Sequence, residues 1–402
     1  MISAVEKILS RKDLGFWQLP ERDSIWRDSV EFGRDLRRTC DHLVVLGMGG
    51  SALGGKCLVE CLTEVSSGGS AEKSSQVTFL SNTDPTGFER TLNSRKNLEA
   101  AHFLAISKSG TTLELACMID VLTSRLHKGD LAKRLSVITE PAGHDGKNPL
   151  RRFAEERGLR VVDHPRDVGG RFSALSPVGL IPAAFAGVDL KALREGAKRA
   201  LADRKNVEDL ATSLAASFKR GEVVTAFWSY VDELHAFLPW LQQLWAESLG
   251  KSKQRNGKKC AVVTSVPTIY EGTCDQHSVL QQLMEGLTPT AVVFFREKKK
   301  KSAGPQLTGN TLGDYSYLNS FHLGEVFDVQ SRATEQALKE VGRTTIDIEF
   351  EQFSASTLGY LLMTFELVIG ALGELLDIDV FNQPGVELGK KITKAKLQEE
   401  AQ

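Results

Sequence analysis

The chain is poor in everything that would tie it to a metal, a membrane or a polyanion. Its 402 residues hold six cysteines and no C-x-x-C pair, so they suggest neither a disulfide framework nor a thiolate zinc site. Cys57 and Cys61 lie one helical turn apart, which reads as buried packing in a reducing compartment. The eight histidines show no H-x-x-x-H spacing and no acidic companion box, so no metal site is expected. Net charge is missing too: 50 Lys+Arg against 51 Asp+Glu leave −1, which removes the global electrostatic case for nucleic acid or an acidic membrane as partner. Long apolar runs are also absent. The most apolar stretch, Leu358–Leu376, is interrupted by Glu366 and closed by Glu374, and its uncharged pieces fall short of the roughly 18–20 residues a bilayer needs. It reads as a core helix. Met1 to Trp17 carry Glu6, Lys7, Arg11, Lys12 and Asp13 with no apolar signal core, so a soluble, cytoplasmic protein is expected.

What remains is a globular composition, 41% hydrophobic and 25% charged. At about 150 residues per domain the length suggests two or three domains. The first half alternates short β-branched runs (Leu43–Leu46, Val77–Leu80, Phe103–Ile106, Leu135–Ile138, Leu159–Val162) with helical patterns (Ala52–Leu62, Thr111–Leu126, Asn148–Arg157). This predicts βαβ units and a parallel sheet covered on both faces. Two helical patterns over Asp189–Arg220 form a connection. A second α/β block follows, with strands Val223–Trp228, Cys260–Ser265, Ala291–Phe295 and Thr344–Phe350 and helices Val231–Leu249 and Gln276–Glu285. Helices Ser354–Leu376 and Gly385–Glu400 end the chain, and Lys298–Gly313 reads as an exposed loop. The two blocks hint at duplication, without a convincing sequence repeat.

Two loops suit an anion. Gly47–Gly55 (GMGGSALGG) lies between a strand and a helix, where glycines allow close approach and the helix's first N–H groups attract negative charge. It satisfies G-x-G-x-x-G/A, but the acid an NAD ribose needs is not at a strand end, since Glu64 falls in or just past the helix; no dinucleotide cofactor is expected. A plain tight turn would also explain this loop. The second loop, Ser107-Lys108-Ser109-Gly110-Thr111-Thr112, places four hydroxyls and an ammonium at a helix N-terminus. One Ser or Thr suffices for a cap; four favour a phosphomonoester.

The S-K-S-G-T-T loop resembles the sugar isomerase (SIS) phosphosugar-binding domain. With five further motifs, the chain from about Leu43 to Lys391 resembles the phosphoglucose isomerase family. Those motifs are GMGGSALGG; Gly169–Ser173 (GGRFS); Ala246–Lys251 (AESLGK); Gly272–Ser278 (GTCDQHS); and Gln383–Lys390 (QPGVELGK). The resemblance implies an α/β fold of two SIS-type doubly wound, mainly parallel-sheet domains, each an αβα sandwich. The expected division is residues 1–205, residues 206–350, and a C-terminal helical segment, 351–402, that packs back on the cleft. It implies a glycolytic and gluconeogenic enzyme that interconverts glucose 6-phosphate and fructose 6-phosphate without a cofactor.

Moving a proton between C1 and C2 through a cis-enediol needs one carboxylate, and the motif assigns this to Glu247. A surface pair with Lys251 one turn on is the simpler alternative. A cation should face the developing enediolate charge, and Arg171 suits that role on its Gly-Gly loop. Ring opening needs an acid and a base; His277 and Lys390 are the candidates. The resemblance implies that His277 comes from a neighbouring subunit, hence a homodimer with shared sites. Gly50, Ser51, Ser107, Lys108, Ser109, Thr111 and Thr112 would bind the phosphosugar, with Gln383 orienting it. Lys251–Lys259 either draws in anions or is a solvated hairpin, and Arg296–Lys301 reads as exposed charge. Cys274 stands where the family commonly has Asn, Pro384 where Trp is common, and the chain is short for the family. GMGG in place of GIGG points mildly to a dual-specificity enzyme that also takes mannose 6-phosphate. A non-catalytic SIS-fold phosphosugar sensor is the alternative of a different class.

Overall fold

In the first of two sheets, β1 (His42–Leu46), β2 (Gln76–Leu80), β3 (Ala101–Ile106), β4 (Leu135–Thr139) and β5 (Arg160–Asp163) lie in the order β2-β1-β3-β4-β5, every neighbouring pair parallel. In the second, β6 (Val224–Ser229), β7 (Val266–Glu271), β8 (Thr290–Glu297) and β9 (Thr344–Phe350) run β7-β6-β8-β9, again all parallel. The two windings agree strand for strand over their shared length. The protein is thus α/β with two doubly wound parallel sheets. This computed structural model describes residues 2–66, 76–93, 100–126, 129–141, 147–300 and 302–401. His127, His144 and Lys301 lie outside them.

Side chains alternate across a strand, so a strand buried on both faces feeds two cores. Leu43 and Val45 of β1, with Leu104, Ile106 and Ile138, pack on Phe32, Leu36, Ile181 and Phe185 from the helices Asp23–Thr39 and Pro177–Ala186. Val44 and Leu46, with Phe103, Ala105 and Val137, meet Leu115, Met118 and Leu122 of the helix Leu113–Arg125 on the opposite face. In the second sheet Ala226, Trp228, Val292 and Phe294 share one core with Leu338, while Phe227, Val293 and Phe295 face the other. That other core is the largest. It gathers the helices Leu190–Ala202, Arg204–Lys219, Phe237–Leu249 and Ala355–Leu376 with Leu58 and Phe172 from the first half, so it joins the two sheets. Phe227 meets Trp245 edge-on at 5.1 Å and Phe365 at 6.1 Å, contacts worth about 0.5–1.5 kcal/mol each beyond burial.

The helices Leu190–Ala202 and Ala355–Leu376 cross at two glycines. A Cβ on Gly196 would lie 1.8 Å from the Ser356 carbonyl oxygen, and one on Gly359 would lie 2.0 Å from that of Leu193. Ala355–Leu376 is long and apolar enough to cross a membrane, but 83% of its apolar window is buried inside the protein. It also carries Glu366, fully buried, whose two carboxylate oxygens find no hydrogen-bond partner among the described residues. Burial pushes this carboxyl well above its ordinary range. The folded chain therefore holds the Glu366 proton at pH values where the unfolded chain has lost it, so its contribution to stability is greatest at low pH and falls as pH rises above the unfolded carboxyl's range. Glu366→Met should raise stability by ~1–3 kcal/mol, more at pH 8 than at pH 5, in paired thermal melts. A loss of stability at both pH values would show that the carboxyl is needed. His102 and His164 are neutral for the same reason, with burial lowering each to about 4.

The differences from the sequence reading are local. The run Cys260–Ser265 is irregular, and the strand is the next six residues, Val266–Glu271. Pro267 argues against a strand there, but β7 is an edge strand, where a missing N–H costs little. Val231–Leu249 divides into a 3₁₀ turn, Asp232–Leu234, and the helix Phe237–Leu249. Gln276–Glu285 likewise becomes a 3₁₀ turn, Cys274–His277, and a helix, Leu280–Glu285. A helix at Leu323–Glu340, opened by a His322–Glu325 capping box, had no sequence assignment. Arg296 and Glu297 are buried rather than exposed charge, because β8 extends through them and Arg296 pairs with Glu335 at 2.9 Å.

Candidate active site

In an open parallel sheet, ligands bind beyond the strand ends where the winding reverses. Here that point lies between β1 and β3, and the two loops singled out in the sequence follow those strands. After β1 the chain makes a 3₁₀ turn, Gly49–Ser51, before the helix Leu53–Ser66. Gly49 has φ +52°, and a Cβ there would meet the Gln243 amide nitrogen at 2.7 Å. A Cβ on Gly50 would lie 2.4 Å from the Gly170 carbonyl, so the loop packs backbone to backbone against the segment carrying Arg171. Ser173 donates through its hydroxyl to the Gly170 carbonyl at 2.6 Å, bracing that segment.

After β3, the loop hydroxyls bond one another. Ser107 Oγ lies 2.9 Å from Thr112 Oγ1 and accepts from the Gly110 amide at 3.1 Å, while Ser109 Oγ lies 2.8 Å from Thr111 Oγ1. Gly110 needs its positive φ of +68°, and a side chain there would strike Asn148. Thr112, the N-cap of the helix Leu113–Arg125, makes no side-chain capping bond, which leaves its hydroxyl to the loop. Ser109 and Thr111 are exposed and Ser107 is buried. The Lys108 ammonium turns away: it donates to the Val168 carbonyl at 2.8 Å and lies 3.5 Å from Glu140. It links this loop to the residues just ahead of Arg171.

Arg171 is 5% exposed and uses all three guanidinium nitrogens. Nε donates to Ser248 Oγ at 2.7 Å, Nη1 to Gln383 Oε1 at 2.9 Å and Glu247 Oε2 at 3.3 Å, and Nη2 to the Asn382 carbonyl at 3.1 Å and to that of Val380. Burial lowers its pKa, opposed by the charges of Glu247 and Asp379. Glu247 sits in the last turn of the helix Phe237–Leu249, with Oε1 accepting from Gln243 Nε2 at 2.9 Å. Its carboxylate is therefore gripped from both sides, yet a third of the side chain stays exposed. Lys251 does not pair with that carboxylate. Its ammonium donates to the Glu247 backbone carbonyl at 2.9 Å and the Asn382 carbonyl at 2.5 Å, and burial lowers its pKa. A groove of about 1000 Å³ opens beside Glu247, Lys251 and Gln383. A slightly larger one, about 1110 Å³, lies along the helices Asp23–Thr39 and Leu190–Ala202 and holds none of these residues.

Arg171, Glu247 and Gln383 thus converge, with Gly50 against the Arg171 loop. His277 and Lys390 do not join them within the chain. His277 is exposed on its 3₁₀ turn, and Lys390 pairs with Glu387 at 2.7 Å on the helix Glu387–Glu400, which buries no residue. Gln243 was missed in the sequence. Its signal is position i−4 from Glu247, on the same helix face. Its Oε1 is buried without a partner among the described residues, a free acceptor beside the carboxylate.

A family model described as phosphoglucose isomerase matches residues 28–402. The chain is 35% identical to a glucose-6-phosphate isomerase of Thermus thermophilus, covering 96% of this chain and 90% of that one. It is 34% identical to the glucose-6-phosphate isomerase of Campylobacter jejuni, over 95% and 91% of the two chains. Among solved structures, a glucose-6-phosphate isomerase from Chlamydia trachomatis superposes with a TM-score of 0.77 at 25% identity, over 94% of this chain and 74% of that one. A tagatose-6-phosphate ketose/aldose isomerase from Escherichia coli, at 12% identity and a TM-score of 0.54 over 96% and 95%, shares the fold.

Proposed function

The chain belongs to the phosphoglucose isomerase family, and on that premise we propose that it interconverts glucose 6-phosphate and fructose 6-phosphate through a cis-enediol(ate). The observation that carries this reading is the carboxylate of Glu247, held between Gln243 and a buried arginine but still open to solvent. Such a group can take a proton from C2 and return it at C1 on one face of the sugar. Arg171 supplies the cation for the enediolate oxygen, already oriented by Ser248 and two backbone carbonyls. The hydroxyls of Ser107, Ser109, Thr111 and Thr112 at a helix N-terminus, with Lys108, Gly50 and Ser51, receive the phosphate. Gln383 orients the sugar. The reading needs no metal or cofactor.

His277 and Lys390 open the ring. His277 serves the site of a second copy, so the enzyme is a homodimer. The exposure of His277 supports this, as does the bare apolar side chain of Val329 on the helix Leu323–Glu340, which Gln276 of the same turn bonds. Lys390 is assigned this role by its motif, and the exposed Leu388 and Ile392 on its helix support a surface there for a further contact. We place the two phosphosugar-type domains at residues 1–205 and 206–350, the closing segment at 351–402, and the enzyme in the cytoplasm. Purified, metal-stripped protein given fructose 6-phosphate should yield glucose 6-phosphate; no turnover would overturn the proposal in favour of a sugar-phosphate sensor. Mannose 6-phosphate in the same assay separates a single from a dual specificity.

A further inference from the structure

The turn that carries His277 is held far more firmly than an exposed 3₁₀ turn requires. Trp228 Nε1 donates to the Gly272 carbonyl at 2.9 Å, and the Gly272 amide donates to the Ser229 carbonyl at 2.6 Å. Asp275 accepts the Glu271 amide at 2.7 Å and the Ser278 hydroxyl at 2.5 Å, closing the turn on itself. A further tie is Gln276, the residue before His277. Its amide nitrogen reaches Tyr230 Oη at 2.8 Å, the Gln330 carbonyl at 3.2 Å and the Thr334 hydroxyl.

Both anchors are rigid. Tyr230 is 2% exposed and packs on Trp228, Phe294 and Phe327 with ring centroids 5.5–6.2 Å apart. Thr334 sits on the helix Leu323–Glu340, which Arg296 of β8 fastens from beneath. Arg296 donates to Ser331 Oγ at 2.5 Å, to the Ser331 carbonyl at 3.1 Å and to Glu335 at 2.9 Å. A side-chain amide with two hydrogens shared among three acceptors, two of them buried, fixes the backbone that follows it. The residue that follows is His277, whose imidazole bonds to no described residue of its own chain.

We infer that Gln276 is a positioning residue for His277: clamped by Tyr230 and Thr334, it sets the direction in which the imidazole leaves the surface. The inference rests on the reading of His277 as a ring-opening group. An imidazole that must meet a substrate with no support from its own chain depends on its backbone for aim, and an error of about 1 Å costs roughly a hundredfold in rate.

A double-mutant cycle tests it, with kcat and KM measured for fructose 6-phosphate on wild type, Gln276→Ala, His277→Ala and the double variant. Expected are a fall in kcat of about tenfold or more for Gln276→Ala with KM little changed, a larger fall for His277→Ala, and a double variant no slower than His277→Ala alone. A merely structural amide would give multiplicative losses, and that result overturns the inference. So does a Gln276→Ala enzyme as fast as wild type beside an impaired His277→Ala. A fully active His277→Ala instead overturns the reading of His277 on which the inference rests. Thermal melts of all four proteins guard against misfolding, and should Gln276→Ala not fold, Thr334→Val removes one anchor for the same cycle.

Discussion

Glu247→Gln should cost isomerisation ~10²–10⁴-fold in kcat while leaving the protein folded and able to hold its substrate. The amide is the same size: its oxygen can keep the bond from Arg171, and its NH2 can donate to the unpartnered Gln243 Oε1 once that side-chain amide turns over. What it cannot do is accept a proton at neutral pH. The loss should therefore fall on kcat rather than KM, and solvent deuterium should no longer enter C2 of glucose 6-phosphate. Full turnover by this variant would remove Glu247 from the mechanism and return it to the surface-pair reading. That reading is already weakened, because Lys251 bonds the backbone carbonyl of Glu247 and not its carboxylate.

Arg171→Lys should be worse behaved. A lysine keeps the charge but loses the planar fork that reaches Ser248, Gln383, Glu247 and two backbone carbonyls together. Removing a donor of this kind costs ~10²–10³ in rate. The Val380 carbonyl and the Ser248 hydroxyl that it leaves are buried, where each unsatisfied group costs ~1–3 kcal/mol, while the Asn382 carbonyl keeps its bond from Lys251. Rate and melting temperature should therefore fall together, unlike Glu247→Gln, where only the rate falls. An Arg171→Lys enzyme with wild-type kcat would show that the rate does not depend on the planar fork.

Much of the fold was legible because strands buried on both faces leave nearly unbroken apolar runs, as in Leu43–Leu46 and Phe103–Ile106. The exceptions have physical reasons. Pro267 looked like a strand breaker and stands in an edge strand. The helix Leu323–Glu340 is amphipathic, but much of its surface stays exposed and it follows a loop rich in glycine, so its start was obscured. Arg296 sits in a basic run, and nothing near it in sequence reveals Ser331 or Glu335.

The site shows the same divide. Glu247, Arg171 and Gln383 were named from motifs, but their convergence spans three distant segments that only the fold unites. Lys108 was read as a phosphate ligand by residue type, and its bond to the Val168 carbonyl, 60 residues away, had no signal in the sequence. Gln243 was visible in principle through helix periodicity alone.

The guanidinium of Arg171 has a cost for anyone who would improve this protein. In the proposed mechanism one side chain is both the cation facing the reaction and the rivet that ties the Gly169–Ser173 loop to the helix Phe237–Leu249 and to the Val380–Gln383 stretch of backbone. Selection for heat resistance that tightens this joint will shift the charge relative to the substrate, and selection for speed that frees the charge will loosen the joint. Turnover and thermal endurance should therefore trade against each other at this residue and its direct partners, and vary independently elsewhere.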